Sequence, residues 1–333
     1  MTAAFPSHGE NQKLASRLGV RRLEDARHFP KFFEVETVNA CNARCTMCTI
    51  NDWEQGENVI MSEALYAKFV DEVGQYADWV ETVCLNRDGE PTLDKYLPQR
   101  VEMLKEAGIR KVTFATNVQL LVPRLVHQLL DAGLDDIMVS VDGITKATFE
   151  AIRVRLNYET VLNNTLNLLR IRNKRGANLT VRMRMVIMDR NRHEVDEWLA
   201  FWKAQVSPQD RVYAKPVHTW GNQLGVEADE MVARYADTPC VSPFSTIILQ
   251  VNGKVPLCGV DYNVKHLMGD FTRQSIKEIW NSELFAQVRW QHANRRRNEI
   301  AVCRGCHIWD EDLMVTESIG RTPGQASTVP VAA

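Results

Sequence analysis

Short apolar runs alternate with amphipathic segments along the first two thirds of the chain. The runs are rich in Val, Ile, Phe and Thr and predict β-strands, whereas the segments between them repeat their apolar residues every three or four positions and predict α-helices. The predicted strands are Phe33–Val38, Thr82–Leu85, Lys111–Ala115, Asp136–Val141, Thr180–Ile187 and Val212–Val217. The predicted helices are Ser62–Val73, Leu97–Ala107, Val122–Ala132, Tyr158–Lys174 and Glu194–Gln205. This alternation predicts an α/β fold, a partial (β/α)6 barrel around a parallel sheet.

The pattern changes after about residue 221. A linker leads to a predicted strand at Thr246–Val251, a turn at Asn252–Gly253, a second strand at Lys254–Leu257 and a helix at Ser275–Asn281. Two short strands joined by an Asn-Gly turn are typical of a β-hairpin. The pattern therefore predicts that the C-terminal part is a small module built from a β-hairpin and a helix.

These patterns divide the chain into four parts. We expect an N-terminal extension at 1–32, the barrel at 33–220, the small module at 221–317 and a disordered tail at 318–333. The tail is rich in Thr, Pro, Ala, Gly and Val, a composition that favours disorder at a terminus.

Composition and charge limit the kinds of partner that this chain is expected to bind. The chain has 333 residues, 25% of them charged, and a formal net charge of −2, which gives no electrostatic reason to expect nucleic acid or an anionic membrane as a partner. No stretch resembles a secretory signal or a spanning helix, so we expect a cytoplasmic protein. In a reducing compartment the eight cysteines indicate metal sites rather than disulfides.

Three of these cysteines, Cys41, Cys45 and Cys48, follow the first predicted strand with CxxxCxxC spacing. A [4Fe–4S] cluster held by only three thiolates leaves one iron with an open position, and an open position is what a metal needs to bind a reactant. The alternatives are a zinc site or a group of buried thiols, although zinc usually prefers CxxC pairs.

The segment CNARCTMC at residues 41–48 resembles the CxxxCxφC signature of the radical S-adenosylmethionine (radical SAM) superfamily. Met47 occupies the hydrophobic φ position, which is more often aromatic. The resemblance implies a barrel of the radical SAM type in which the open iron binds the amino and carboxylate groups of S-adenosylmethionine and generates a 5′-deoxyadenosyl radical that abstracts hydrogen from a substrate.

The segment Asp88–Pro91 resembles the GGEP element of the same superfamily, whose backbone and Glu hold the methionine amino group. The first glycine of that element is Asp88 in this chain, so only Gly89 and Glu90 carry the resemblance. Without the cysteine motif, this segment would be an ordinary Gly/Pro turn.

Further polar residues at strand ends fit the same superfamily. Asn117 follows the third strand, and Ser140 and Asp142 end the fourth; the resemblance implies that they line the adenosyl and ribose pocket. Arg153 lies where related enzymes place an arginine on the carboxylate of the cofactor. The alternatives are turn caps for the strand-end residues and a surface ion pair for Arg153.

A second group of cysteines comprises Cys240, Cys258, Cys303 and Cys306. Four thiolates form a closed site, which suits either a complete [4Fe–4S] cluster or a zinc ion. Their spacing resembles the SPASM/Twitch auxiliary module of radical SAM enzymes, and because no cysteine follows Cys306 the resemblance implies the short Twitch form with one auxiliary cluster.

Candidate catalytic residues lie on the last strands of the barrel. Arg182 and Arg184 alternate with methionines, so both belong to one face, which we expect to point into the barrel, and Lys215 and His218 flank the end of the sixth strand. Each could orient hydroxyl groups or accept a proton, or could instead be salt-bridged. Cys84 belongs to neither cysteine group; core packing is one interpretation, and the hydrogen-atom donor of an epimerase is the other.

The two cluster motifs together favour an oxidation. The chain resembles dehydrogenases of the 2-deoxy-scyllo-inosamine type in antibiotic biosynthesis, which implies oxidation of a secondary alcohol of an aminocyclitol, sugar or aminoglycoside to a ketone, an auxiliary cluster that accepts an electron, and flavodoxin or ferredoxin as reductant. Alternatives are an epimerase or decarboxylase acting on a carbohydrate or nucleoside antibiotic intermediate, a peptide-modifying enzyme and a zinc-stabilised binding protein. The 32 residues ahead of the barrel are short for the added domain of many peptide-modifying relatives, which favours a small-molecule substrate.

Overall fold

The computed structural model of the chain describes residues 5–6, 9–53, 59–217, 220, 233 and 236–306. The strands are β1 Phe32–Val35, β2 Arg44–Cys45, β3 Thr82–Cys84, β4 Val112–Thr116, β5 Asp136–Ser140, β6 Arg153–Val154, β7 Thr180–Ile187, β8 Arg211–Pro216, β9 Thr246–Leu249, β10 Lys254–Pro256 and β11 Leu267–Asp270. The helices are α1 Gly9–Arg17, α2 Glu63–Gly74, α3 Leu97–Glu106, α4 Pro123–Asp131, α5 Lys146–Ile152, α6 Tyr158–Arg175, α7 Val195–Gln205, α8 Ser242–Ser245, α9 Ile276–Trp280 and α10 Glu283–Ala293.

One parallel sheet forms the centre of the molecule. Its seven strands run in the order β8-β7-β5-β4-β3-β1-β9, and every neighbouring pair is parallel. The α/β architecture predicted from the alternating pattern is therefore confirmed. Apolar residues such as Phe114 and Val139 face the surrounding helices and are fully buried, while polar residues such as Glu34 and Arg184 alternate with them on the other face.

The C-terminal strands pair differently from the predicted hairpin. β9 does not pair with β10; it lies parallel to β1 at the edge of the large sheet, and β10 forms an antiparallel pair with β11. The physical reason is that β9 is apolar and buried on both faces, as a strand of a parallel sheet is. The turn ending at Gly253, which has φ +85°, then directs the chain out of the large sheet.

The N-terminal residues pack against the C-terminal part of the chain. Leu14 of α1 and Leu18, which follows that helix, share a small apolar core with Phe244 of α8 and Ala293 at the end of α10. The Trp280 indole nitrogen also donates a hydrogen bond to the Ala26 carbonyl over 2.8 Å. Residues ahead of the barrel therefore help to hold the small C-terminal module in place.

A buried ion pair between α6 and the segment before β8 predicts a large effect on stability. Arg172 and Asp210 form a bidentate pair at 2.6 and 2.8 Å, and both side chains are almost fully buried. Although burial opposes it, hydrogen bonds from Arg172 and two backbone amides hold the pKa of Asp210 below its usual range. Asp210→Ala should lower the free energy of unfolding by about 3–5 kcal/mol, because it leaves a buried guanidinium unpaired.

Anaerobic urea unfolding measures this change. Asp131→Ala removes the carboxylate of the more exposed Arg175–Asp131 pair and is the matched control, with an expected loss of at most about 1 kcal/mol. Since the carboxylate of Asp210 stabilises the fold only when ionised, the difference should shrink as the pH falls toward its lowered pKa. Equal losses for the two variants would contradict the prediction.

Candidate active site

The three cysteines of the first motif share one loop at the carboxyl edge of the sheet. Cys41, Cys45 and Cys48 follow β1, and all three thiols are free. Burial, together with the other two cysteines, raises the pKa of Cys41 to about 11, and burial also raises that of Cys48. Thiolates in this loop therefore need a cationic group between them, and an iron–sulfur cluster supplies one.

The described part of the chain contains no set of three His, Cys, Asp or Glu side chains that converges on a single metal ion. A zinc ion requires its ligands within roughly 2.3 Å of one point. A cubane distributes its cysteines over separate irons. Cysteines that hold a cubane therefore need not converge on one point as zinc ligands do.

Gly89 allows the segment Asp88–Pro91 to pack against the cysteine loop. A Cβ at this position would lie 2.0 Å from the Val38 carbonyl oxygen and 2.9 Å from that of Ala40. The backbone amide of Glu90 donates to the same Ala40 carbonyl over 2.8 Å. Only glycine fits here, so the predicted importance of Gly89 has a steric basis.

The carboxylate of Glu90 is buried and fully hydrogen-bonded within the chain. Oε1 accepts hydrogen bonds from the Thr92 and Thr116 hydroxyls at 2.6 and 2.7 Å, and Oε2 accepts one from the Asn117 amide at 2.7 Å. The Asn117 side chain donates to Asn42 in the cysteine loop over 2.7 Å. Glu90 and Asn117 therefore tie the end of β4 to the cysteine loop and also line the cleft described below.

Arg153 connects the cysteine loop to the end of β5. Its Nη1 lies 3.5 Å from the Cys45 sulfur, and its Nε donates to Asp142 over 2.5 Å. Asp142 is completely buried, and its other oxygen accepts the Val186 amide. Asp142 therefore positions Arg153, and Ser140 and Arg153 line the cleft, while a role of Asp142 in a ribose pocket stays a prediction.

The two arginines of β7 share a face, as predicted, but have different surroundings. Arg182 is ion-paired with Asp136 at 2.6 Å and does not line the cleft. Arg184 lines the cleft, and its Nη2 donates to the Ser140 hydroxyl over 3.2 Å, while its buried Nε has no hydrogen-bond partner. Arg184 is thus the arginine of β7 that can contact a substrate, and Arg182 is held in a structural ion pair.

The remaining candidate catalytic residues also differ in whether they line the cleft. Lys215, at the end of β8, lines the cleft together with Met47. Cys84 does not line it; its thiol donates to Asn86 over 3.3 Å, and burial raises the pKa of the thiol to about 12. This placement gives no support to Cys84 as a hydrogen-atom donor. His218 lies outside the described residues.

The second group of cysteines also comes together. Burial and the other cysteines of the group raise the pKa of Cys258 well above its ordinary value, and burial raises that of Cys240 to about 11. Arg297, which sequence reasoning missed, is buried and donates to the carbonyls of Cys303 and Cys306 at 3.1 and 2.7 Å. A buried cation beside four thiols suits a negatively charged cluster site.

One cleft extends from the first cysteine loop toward the second group. It encloses about 920 Å³, part of it open to solvent, and Arg87, Asp88 and Trp220 line it without having been predicted as site residues. Arg87 lies 3.2 Å from the position of a Cβ on Gly259, the residue after Cys258. The only sequence signal for these residues was the charged pair that precedes Gly89.

The family profile of the radical SAM superfamily matches residues 35–201, half of the chain. The chain belongs to the radical SAM superfamily. A profile described as an iron–sulfur cluster-binding domain, SPASM, matches residues 240–307. This radical SAM enzyme therefore uses S-adenosylmethionine and a [4Fe–4S] cluster together with auxiliary iron–sulfur chemistry, and the alternative of a zinc-stabilised binding protein is wrong. Enzymes of the superfamily act on small molecules or peptides with an external reductant.

Curated relatives match only part of this radical SAM enzyme. A probable GTP 3′,8-cyclase of Sulfolobus acidocaldarius is 29% identical over 208 residues, which cover 62% of this chain and 60% of the relative. Another probable GTP 3′,8-cyclase, from Saccharolobus islandicus, is 32% identical over 182 residues, or 54% of this chain and 53% of the relative. The chain thus spans little more than half the length of these relatives.

Solved structures of radical SAM enzymes share the fold. BtrN in complex with AdoMet and 2-DOIA has a TM-score of 0.56 at 20% identity, covering 83% of this chain and 92% of BtrN. SuiB of Streptococcus suis, bound to its precursor peptide SuiA, has a TM-score of 0.62 at 13% identity, covering 84% and 70%. Within the described residues, no helix combines the length and the apolar character needed to cross a membrane.

Proposed function

We propose that this radical SAM enzyme oxidises a secondary alcohol of an aminocyclitol, sugar or aminoglycoside to a ketone. The observation that carries the proposal is the cleft lined by Cys41, Cys45, Cys48 and Arg87, because Arg87 also packs against Gly259, the residue after Cys258. A substrate in this cleft would lie between the site of radical formation and an auxiliary electron acceptor. The structural likeness to BtrN in complex with AdoMet and 2-DOIA supports an alcohol of this kind.

The roles of the cysteines follow from their grouping. Cys41, Cys45 and Cys48 would hold the cluster that binds S-adenosylmethionine, and the second group, Cys240, Cys258, Cys303 and Cys306, would hold the auxiliary cluster. When bound, the first cluster and S-adenosylmethionine supply a 5′-deoxyadenosyl radical that removes a hydrogen atom from the substrate.

The arginines of the cleft differ in what they can offer a substrate. Arg87 and Arg153 are already ion-paired with Asp88 and Asp142, whereas Arg184 has no carboxylate within ion-pair distance in the described part of the chain. Two of the three arginine charges are therefore neutralised, which suits a substrate rich in hydroxyl groups better than the triphosphate of GTP. Arg184 can donate hydrogen bonds to a substrate oxygen and stabilise negative charge there.

A turnover assay tests the proposal. The reconstituted enzyme is incubated anaerobically with S-adenosylmethionine, reduced flavodoxin or ferredoxin, and a panel that contains 2-deoxy-scyllo-inosamine, related aminocyclitols, aminoglycosides and GTP. One ketone should form per 5′-deoxyadenosine. Solvent hydrogen at an inverted carbon would instead identify an epimerase, release of CO₂ a decarboxylase, and a cyclised GTP product a cyclase; any of these would refute the oxidation.

The proposed function predicts a loss of activity when Arg184 is replaced. Arg184→Lys should lower kcat/KM for ketone formation about tenfold or more, because an ammonium group cannot donate to Ser140 and to a substrate oxygen with the geometry of a guanidinium. Arg182→Lys makes the same chemical change two residues away, outside the cleft, and should leave kcat/KM almost unchanged. Equal losses of kcat/KM in the two variants would show that Arg184 has no specific contact with the substrate.

A further inference from the structure

The Arg87–Asp88 pair lies near both groups of cysteines. The Arg87 guanidinium is ion-paired with Glu34 at 3.3 Å and with Asp88 at 3.4 Å, and it packs against Gly259, the residue after Cys258. Asp88 is close enough to the first cysteine loop to influence the ionisation of Cys48. Both residues line the cleft, so a substrate bound there could contact them.

The carboxylate of Asp88 is not fully satisfied by the protein. Its side chain is only 4% exposed, and its buried Oδ1, which lies near the Arg87 guanidinium, makes no hydrogen bond. This differs from Glu90, whose two oxygens together accept hydrogen bonds from three residues. A buried carboxylate oxygen without a hydrogen bond carries a desolvation cost that a donor on a bound ligand would relieve.

The surroundings of Asp88 also favour the protonated form of its carboxyl group. Burial raises its pKa to about 6, against the opposing charge of Arg87, and Glu34 raises it further. Glu36, which is buried near Asp88, has its pKa raised to about 7 by burial and by that carboxylate. The charged or titratable groups around Asp88 are Arg87, Glu34, Glu36, Cys48 and Tyr262.

We propose that Asp88 is the catalytic proton acceptor of the oxidation, a role that rests on the proposed function. One hydrogen of the substrate carbinol leaves as an atom to the 5′-deoxyadenosyl radical. The hydroxyl proton passes to the Asp88 carboxylate. The auxiliary [4Fe–4S] cluster, when bound, would accept one electron, and the remaining carbon–oxygen pair closes to C=O. Asp88 is better suited to this step than Arg184, because a guanidinium is already protonated and cannot accept a proton.

The position of Asp88 in the sequence supports a specific role. The resemblance to the GGEP element calls for glycine there, and a glycine would bring no side chain into the cleft. This chain places a carboxylate at that point, beside a glycine at which no side chain fits. The change therefore adds a titratable group to the cleft without altering the backbone contacts made by Gly89.

The experiment follows two products in Asp88→Asn and Asp88→Gly. Each variant receives 2-deoxy-scyllo-inosamine, or the panel alcohol that the parent enzyme oxidises, with deuterium at the reacting carbon. Deuterium should still appear in 5′-deoxyadenosine, whereas ketone per 5′-deoxyadenosine should fall at least tenfold. The ketone yield of the parent enzyme should also decline as the pH falls below about 6, and this decline should be absent in Asp88→Asn.

Glu34→Gln is the matched control. It removes the other carboxylate that pairs with Arg87, and Glu34 does not line the cleft. Because loss of Glu34 can only lower the pKa of Asp88, the ketone yield per 5′-deoxyadenosine should stay at the parental value when it is measured well above pH 6. Iron content and circular dichroism establish that each variant is folded and loaded, and Asp88→Glu should restore part of the yield because it restores a carboxylate.

Three results would overturn the proposal. If both Asp88 variants form as much ketone per 5′-deoxyadenosine as the parent, Asp88 accepts no proton. If deuterium transfer is lost together with the ketone, Asp88 positions the substrate or the cofactor instead. If the parent enzyme oxidises no alcohol of the panel, the proposed function fails first and the role of Asp88 fails with it.

Discussion

Cys45→Ala should abolish cleavage of S-adenosylmethionine and remove about four of about eight irons from the reconstituted enzyme. Cys45 is the buried cysteine of its loop, and its sulfur accepts a contact from the Arg153 guanidinium. Its backbone pairs with Arg153 across β2 and β6. Removal of this sulfur leaves two thiolates, too few to hold a cubane that also keeps one iron open.

Iron and sulfide analysis, together with the yield of 5′-deoxyadenosine, measures the effect. Cys84→Ala is the matched control, because Cys84 is also a cysteine of the barrel but belongs to neither group and does not line the cleft. It should keep the full iron content and normal cleavage. The assignment of the first site would fail if Cys45→Ala retained all of its iron, or if Cys84→Ala lost as much.

Local patterns in the sequence were sufficient for most of the barrel. All six strands predicted from the alternating pattern lie in the large sheet, and Thr180–Ile187 has the predicted bounds. β9 was predicted as a strand but assigned to a hairpin, because the sequence shows that a segment is apolar without showing which edge it joins. The contact between the N-terminal residues and α10 is long-range and left no local signal.

In the candidate site too, local motifs could be predicted from the sequence and long-range contacts could not. The cysteine spacing and the glycine of Asp88–Pro91 are local motifs, and the structure brings them together in one cleft. The different roles of Arg182 and Arg184 could not be predicted, because both belong to the same face of β7 and only the position of Asp136 on the neighbouring strand decides which one is neutralised. Arg87 was missed because its partners, Glu34 and Gly259, are distant in sequence.

The second large effect is expected for Gly89→Ala. A Cβ at this position would lie 2.0 Å from the Val38 carbonyl oxygen, far inside any tolerated contact, and the neighbouring atoms belong to backbone that cannot rotate away. The loop must therefore move, and the 2.8 Å hydrogen bond from the Glu90 amide to Ala40 must stretch or break. We expect the affinity for S-adenosylmethionine to fall at least about tenfold, which corresponds to about 1.4 kcal/mol.

Anaerobic equilibrium dialysis of the reconstituted variant measures this affinity. Gly9→Ala is the matched control, because no atom lies within 4 Å of its Cβ position, and its affinity should equal that of the parent. The shift of the loop also carries Glu90 and its hydrogen bond to the Asn117 amide, so the loss should extend to the cleft wall formed by the end of β4. Because the cysteine sulfurs are untouched, iron content should fall less than affinity does. Parental affinity in Gly89→Ala would show that this backbone contact does not shape the cofactor site.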